Sequence, residues 1–218
     1  MYSAWQIHKP EGPIEFYDIH ADALPDGKSI SEWTVAWWQW LIGIPKDRNP
    51  ALDQTGKFSS QGQSTSSSVY FLVGTTMAKT IERRCDVPKN KPVLFPVVND
   101  EESVAEKPAF AKALPKLTED AGEDQDNIIS MEANFDKNTE HEVSLLTGSL
   151  VKNRVRTGMF DLNFPVDNIF DCASGPSKAS SDGYWLFLKP LPGPQHTIHF
   201  NAIEDDYSIE LTYYITVT

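Results

Sequence analysis

The chain has 218 residues, 40% of them hydrophobic and 11% aromatic, with a net charge of −12. That is enough apolar material to build a core and too much for a disordered chain. The acidity repels phosphate backbones and anionic lipid heads, and no basic cluster is longer than Arg83-Arg84. With no run of about 18 apolar residues, neither nucleic acid nor a membrane span is expected.

Residues 1–28 read as an extended segment punctuated by Pro10, Gly12, Pro13, Pro25 and Gly27, with an edge strand at 14–19. Met1-Tyr2-Ser3-Ala4-Trp5 lacks the basic stretch and apolar run of a signal peptide. Two expectations stay open: a cytoplasmic protein, or an exported one whose leader is absent from this chain. Residues 29–218 read as one domain.

That domain opens with a helix at about 29–43. Ser29-Ile30-Ser31-Glu32 has the form of a capping box, with Ser29 as N-cap and Glu32 at the third helical position. Trp33, Ala36, Trp37, Trp40, Leu41 and Ile44 then recur at helical spacing, Trp38 falls off the stripe, and Gly43 and Pro45 end it. Such an indole face either covers one end of a core or offers a stacking platform to a sugar. Trp37, Trp38 and Trp40 are the ligand-contact candidates.

Lys46–Ser68 reads as a Ser-rich loop. Strands are expected at 69–73, 80–87 and 92–98, the last carrying Pro96 and therefore an edge or a bulge. Residues 99–127 are the most acidic stretch and read as a surface excursion, interrupted by Pro108 and Pro115. The C-terminal half returns to strands at 142–147, 154–157, 159–164, 184–188 and 196–200, with Ser181-Asp182-Gly183 as a turn. Residues 207–217 alternate cleanly, with Tyr207, Ile209, Leu211, Tyr213, Ile215 and Val217 on one face. Many short strands, regular turns and one good helix predict a mainly β fold, an antiparallel β-sandwich of jelly-roll type with a Trp-rich N-terminal helix.

The chemistry-bearing residues form no specific motif. Asp100, Glu101 and Glu102 follow a buried strand and are candidate ligands for a hard cation, above all Ca²⁺. Glu204, Asp205 and Asp206 occupy a hairpin loop with the same potential, and Asp120–Asp126 lacks the order of an EF-hand. His196 and His199, three apart in a strand, project to opposite faces and cannot share an ion without a bulge. A cupin pattern fails: Pro192-Gly193 lacks the spacer, and Asn201 stands five residues after His196. Gly-x-Ser-x-Gly, P-loop and dinucleotide fingerprints are absent. Cys85 and Cys172 form one disulfide or remain two buried thiols.

Several segments occur together: Glu32-Trp33-Thr34 with Trp37-Trp38-Gln39-Trp40, Gln61-Gly62-Gln63, Val69-Tyr70-Phe71-Leu72, Cys85-Asp86-Val87-Pro88, Leu94-Phe95-Pro96-Val97-Val98-Asn99, and Asp182-Gly183-Tyr184-Trp185 with His196-Thr197-Ile198-His199-Phe200. Over roughly residues 25–217 the chain thereby resembles a family of small, mostly secreted bacterial and archaeal β-rich proteins to which no activity is attached. The resemblance implies export and a β-rich fold, and supplies no catalytic residues. Relatives of that kind carry a second cysteine just before the Gln-Gly-Gln segment. Here Ser59 and Ser60 stand in its place, which leaves Cys172 as the partner for a Cys85 disulfide. Pro192-Gly193 with His196-Thr197-Ile198 also resembles a turn-and-strand of extracellular sandwich modules, in which the histidine is structural.

The expected function is a non-catalytic extracellular or cell-surface protein binding a small molecule, a glycan or copies of itself, with Ca²⁺ as the candidate cofactor. The alternative is a jelly-roll hydrolase, lyase or cyclase using His196 or His199 with Asp100 or Glu101 as acid and base.

Overall fold

Two five-stranded sheets and one helix stack as three layers in the computed structural model, which describes residues 10–75, 80–204 and 208–218. The first sheet contains β1 (Tyr70–Phe71), β3 (Val93–Ser103), β8 (Gly175–Leu188), β6 (Arg154–Arg156) and β7 (Phe160–Phe164), in the order β1-β3-β8-β6 with β7 also on β8. The second runs β2 (Thr80–Val87), β10 (Ser208–Val217), β9 (Gln195–Ile203), β4 (Ser130–Phe135), β5 (Val143–Leu146).

The layers explain the two kinds of strand pattern. One face of the first sheet (Val93, Phe95, Val97, Leu186, Leu188) meets the inner face of the second (Phe135, Ile198, Phe200, Leu211, Tyr213, Ile215). The other face (Leu94, Trp185, Phe187) meets the helix α1 (Ile30–Ile42). Covered on both sides, residues 93–98 of β3 and 184–188 of β8 read as continuous apolar runs. The second sheet keeps one wet face, so β9 and β10 alternate residue by residue.

α1 begins and ends where its sequence dictates. Ser29 Oγ accepts from the Glu32 N–H at 3.3 Å, Glu32 Oε2 accepts from the Ser29 N–H at 2.8 Å, and Gly43 is the C-cap. Its buried stripe is Ile30, Trp33, Thr34, Trp37, Trp38, Leu41 and Ile42. The stripe is rotated by about one residue from the expected one, bringing Trp38 in and leaving Ala36 and Trp40 half-buried.

Four expectations need correction. The sheets are not wholly antiparallel, because β1 pairs with β3 and β2 with β10 in parallel. Alternation records which face is buried and carries nothing about a neighbour's direction. The acidic stretch after β3 is no surface excursion: it holds a second helix, α2 (Pro115–Asp126), packed on β3 and β8 through Leu117, Ala121 and Gln125. Ser181-Asp182-Gly183 is not a turn but the middle of β8. Cys85 and Cys172 are unpaired thiols, Cys85 packed against the core between the sheets and Cys172 against the core beneath α1. The first sheet separates those two cores, so no disulfide can join them.

Segment 10–28 also packs on its own chain. Tyr17 donates to the Phe187 carbonyl at 2.8 Å and Lys189 to that of Glu15 at 2.9 Å, while Phe16 sets its ring edge-on to Phe135.

Candidate functional site

β3 carries the site because of its bulge. The register against β8 slips between Pro96 and Val98, after which Asn99 pairs with Gly183, Asp100 with Asp182, Glu101 with Ser181 and Glu102 with Ser180. Gly183 makes this pairing possible, since a Cβ there would lie 2.5 Å from Asn99 Cβ and 2.9 Å from the Val98 carbonyl oxygen. The carboxylates of 100–102 therefore belong to the strand itself, among its last pairs with β8, and neighbours point to opposite faces.

Asp100 and Glu102 turn toward α2, where they meet Asp124. One carboxylate oxygen from each of the three lies within 4.8 Å of the others. Burial pushes the Asp100 carboxyl up to about 8, with Glu102 and Asp124 adding like-charge repulsion. Burial also raises Glu102, against the pull of Lys107, whose Nζ lies 2.6 Å from Glu102 Oε1 and 3.1 Å from Asp120 Oδ2. The contrast with Asp182, fully buried on the same strand pair, is instructive. Arg154 grips both its oxygens at 3.0 and 2.9 Å, and Arg156 Nε sits at 2.7 Å. Among the described residues Asp100 has no such partner, and its Oδ2 is buried without a hydrogen bond.

Asp100 and Asp124 line a cleft of about 290 Å³ between the sheets, and Glu102 reaches the pair from outside its lining. Val97, Val98 and Asn99 of β3 line it, with Gln125 of α2, Ile128, Ala202 of β9 and Ile209 of β10. Glu204 lines it too, whereas Asp205 and Asp206 lie outside the described residues.

Glu101 does not join the cation candidates Asp100 and Glu102. It points to the opposite face of the sheet, 3% exposed, its carboxyl held well above the usual range by burial and by Glu106. Period-two alternation alone could have separated it from its neighbours. Asp124 and Gln125 were missed because their acidic run hides a helix. The signal was there in Pro115 at the first turn and in Leu117, Ala121 and Gln125 at four-residue spacing.

The histidines stand apart from these acids. His196 is buried, with Nδ1 2.7 Å from Asp136 Oδ2 and Nε2 against the Pro192 carbonyl. His199 lies on the wet face of the second sheet, its Nδ1 3.0 Å from Thr212 Oγ1. Neither is hydrogen-bonded to Asp100 or Glu101. Trp37 and Trp38 are buried in the core under α1, 2% and 5% exposed, and Trp37 donates to the Leu72 carbonyl at 2.8 Å. Trp40 is half-buried and donates to the Gln61 carbonyl. As a sugar platform this face is closed.

No helix among the described residues is long and apolar enough to cross a membrane. No protein-family model matches the chain, and neither does any curated protein or solved structure.

Proposed function

We propose that the protein is a non-catalytic binding module in which Asp100, Glu102 and Asp124 hold Ca²⁺ at the end of the inter-sheet cleft, and that the cleft is its ligand site. The observation that carries this reading is the convergence of three carboxylate oxygens within 4.8 Å, with Asp100 Oδ2 buried and unpartnered among the described residues. Three hard oxygens suit a hard cation, and nothing in the trio suits a soft one. The non-catalytic part is supported by the histidines, whose ring nitrogens face Asp136, the Pro192 carbonyl and Thr212 rather than the cleft. Export rests on the family resemblance alone, and the two separated thiols contribute nothing to it. Self-association draws no support from segment 10–28, where Glu15 and Tyr17 bond to their own chain.

The test is calorimetric titration of EDTA-treated protein with Ca²⁺, beside a thermal melt. At a hundredfold excess over Kd the cation adds about 2.7 kcal/mol to stability, and Asp124→Asn weakens binding at least about tenfold, as expected for a lost charged ligand. Absence of both heat and melting shift refutes the reading.

One observation favours a second reading. A carboxyl raised to about 8 beside a cleft can donate a proton near neutral pH, as a general acid must. This keeps the carboxylate half of the enzyme alternative and drops His196 and His199 from it. Turnover of a substrate panel that Asp100→Asn abolishes, with the fold intact, would select this reading over the first.

A further inference from the structure

The wall of the cleft next to the carboxylates carries polar groups of both kinds without partners. Gln125 is only 3% exposed, and among the described residues its Oε1 has no hydrogen bond and the buried Asn99 Nδ2 has no partner. Both residues line the same cleft as Asp100 and Asp124. Buried polar groups are satisfied as a rule, so an orphaned acceptor and an orphaned donor in one cleft point to what belongs there.

We propose that the cleft binds a neutral, polyhydroxylated ligand of the monosaccharide class, engaged through the cation. The inference rests on the cation reading above. A cation held by the trio satisfies Asp100 and leaves the Asn99 N–H₂ group unpaired. An anion satisfies that donor and is repelled by three carboxylates. A hydroxyl both donates and accepts, and meets the two kinds of orphan together. The coordination count agrees: Ca²⁺ takes about 6–8 oxygens, whereas the trio supplies three carboxylates. Adjacent hydroxyls on one ring are spaced to fill two of the remaining positions. Beyond the polar end, Val97, Val98, Ile128 and Ile209 present apolar surface suited to the C–H face of a ring. A cleft of about 290 Å³ lies at the small end of ligand sites and fits one ring rather than a chain.

The experiment applies fluorescently labelled full-length protein to a printed array of neutral and sialylated glycans, in Ca²⁺ and again in EDTA, with Ca²⁺ binding measured separately by calorimetry. Neutral glycans are retained in Ca²⁺ and released by EDTA. Gln125→Leu, which keeps the packing of α2, binds them about tenfold more weakly, the effect of one lost hydrogen bond. The exposed Asp124→Asn variant loses both Ca²⁺ and glycan. Ca²⁺ heat without retention of any neutral glycan overturns this inference and leaves the cation site standing. So does retention of sialylated glycans alone, or retention that EDTA does not touch. Absence of Ca²⁺ heat overturns both.

Discussion

His196 holds three parts of the second sheet together. Its Nδ1 meets Asp136 after β4, its Nε2 meets the Pro192 carbonyl before β9, and Asp136 Oδ1 accepts the Thr197 N–H at 2.8 Å. Both side chains of the pair are buried, 0% and 1% exposed. Truncating the ring strands a buried carboxylate, and removing one partner of a buried pair costs about 3–5 kcal/mol. Chemical denaturation of His196→Ala should therefore show a loss of that order. His199→Ala, on the wet face, should stay within about 0.5 kcal/mol of the parent. Equal losses would refute the structural assignment of His196. Opposite faces for these two residues were legible from their spacing in a strand. Asp136 was not, because a partner 60 residues away leaves no local trace.

At the scale of elements, β3 and β8 decide where the site sits. The proline in β3 announced an edge or a bulge; β3 is an inner strand, and the bulge is there. What the strand did beyond it was not legible, since Asp-Glu-Glu resembles a loop when its neighbours are unknown. Only the paired strand, with Asp182 held by two arginines and Gly183 offering no Cβ, makes those residues tolerable inside a sheet. Ser-Asp-Gly itself resembles a turn for the same reason. α1 is the opposite case: its cap and stop are local and were readable, and its stripe was read to within about one residue. Gly183→Ala tests the dependence of the bulge on its partner. The added Cβ would lie within 3 Å of Asn99 and of the Val98 carbonyl, atoms that cannot swing away. Overpacking of this kind costs about 1–3 kcal/mol, and here it should also weaken Ca²⁺ binding, because Asp100 is carried on the displaced backbone. A destabilised variant with unchanged Ca²⁺ affinity would show that the site does not depend on the bulge register.

Across the whole molecule, the raised carboxyls set how stability follows pH. Burial holds Asp100 up at about 8 and places Glu101, Glu102 and Glu106 above their ordinary values. In the unfolded chain such groups titrate near 4. Between about pH 4 and 8 the native state consequently holds protons that the unfolded chain has released, so their contribution to stability is present at the acid end and lost as pH rises. Asp53, lowered by backbone hydrogen bonds from Phe58 and Thr55 against the cost of its burial, works in the opposite sense and only toward the acid limit. In EDTA the melting temperature should fall from pH 5 to pH 8, at about 2–4 °C for each kcal/mol in a chain of this size. Ca²⁺ binds the ionised trio alone, so it should flatten the fall and release protons on binding near neutrality. Asp100→Asn keeps the shape and removes the charge: it should raise the pH 8 melting temperature in EDTA and lose the response to Ca²⁺. A melt in EDTA that is flat or rising across this window would mean that the acids of β3 are not held protonated. The crowding that singles out the cleft would then be absent, and the case for a cation there would fall with it.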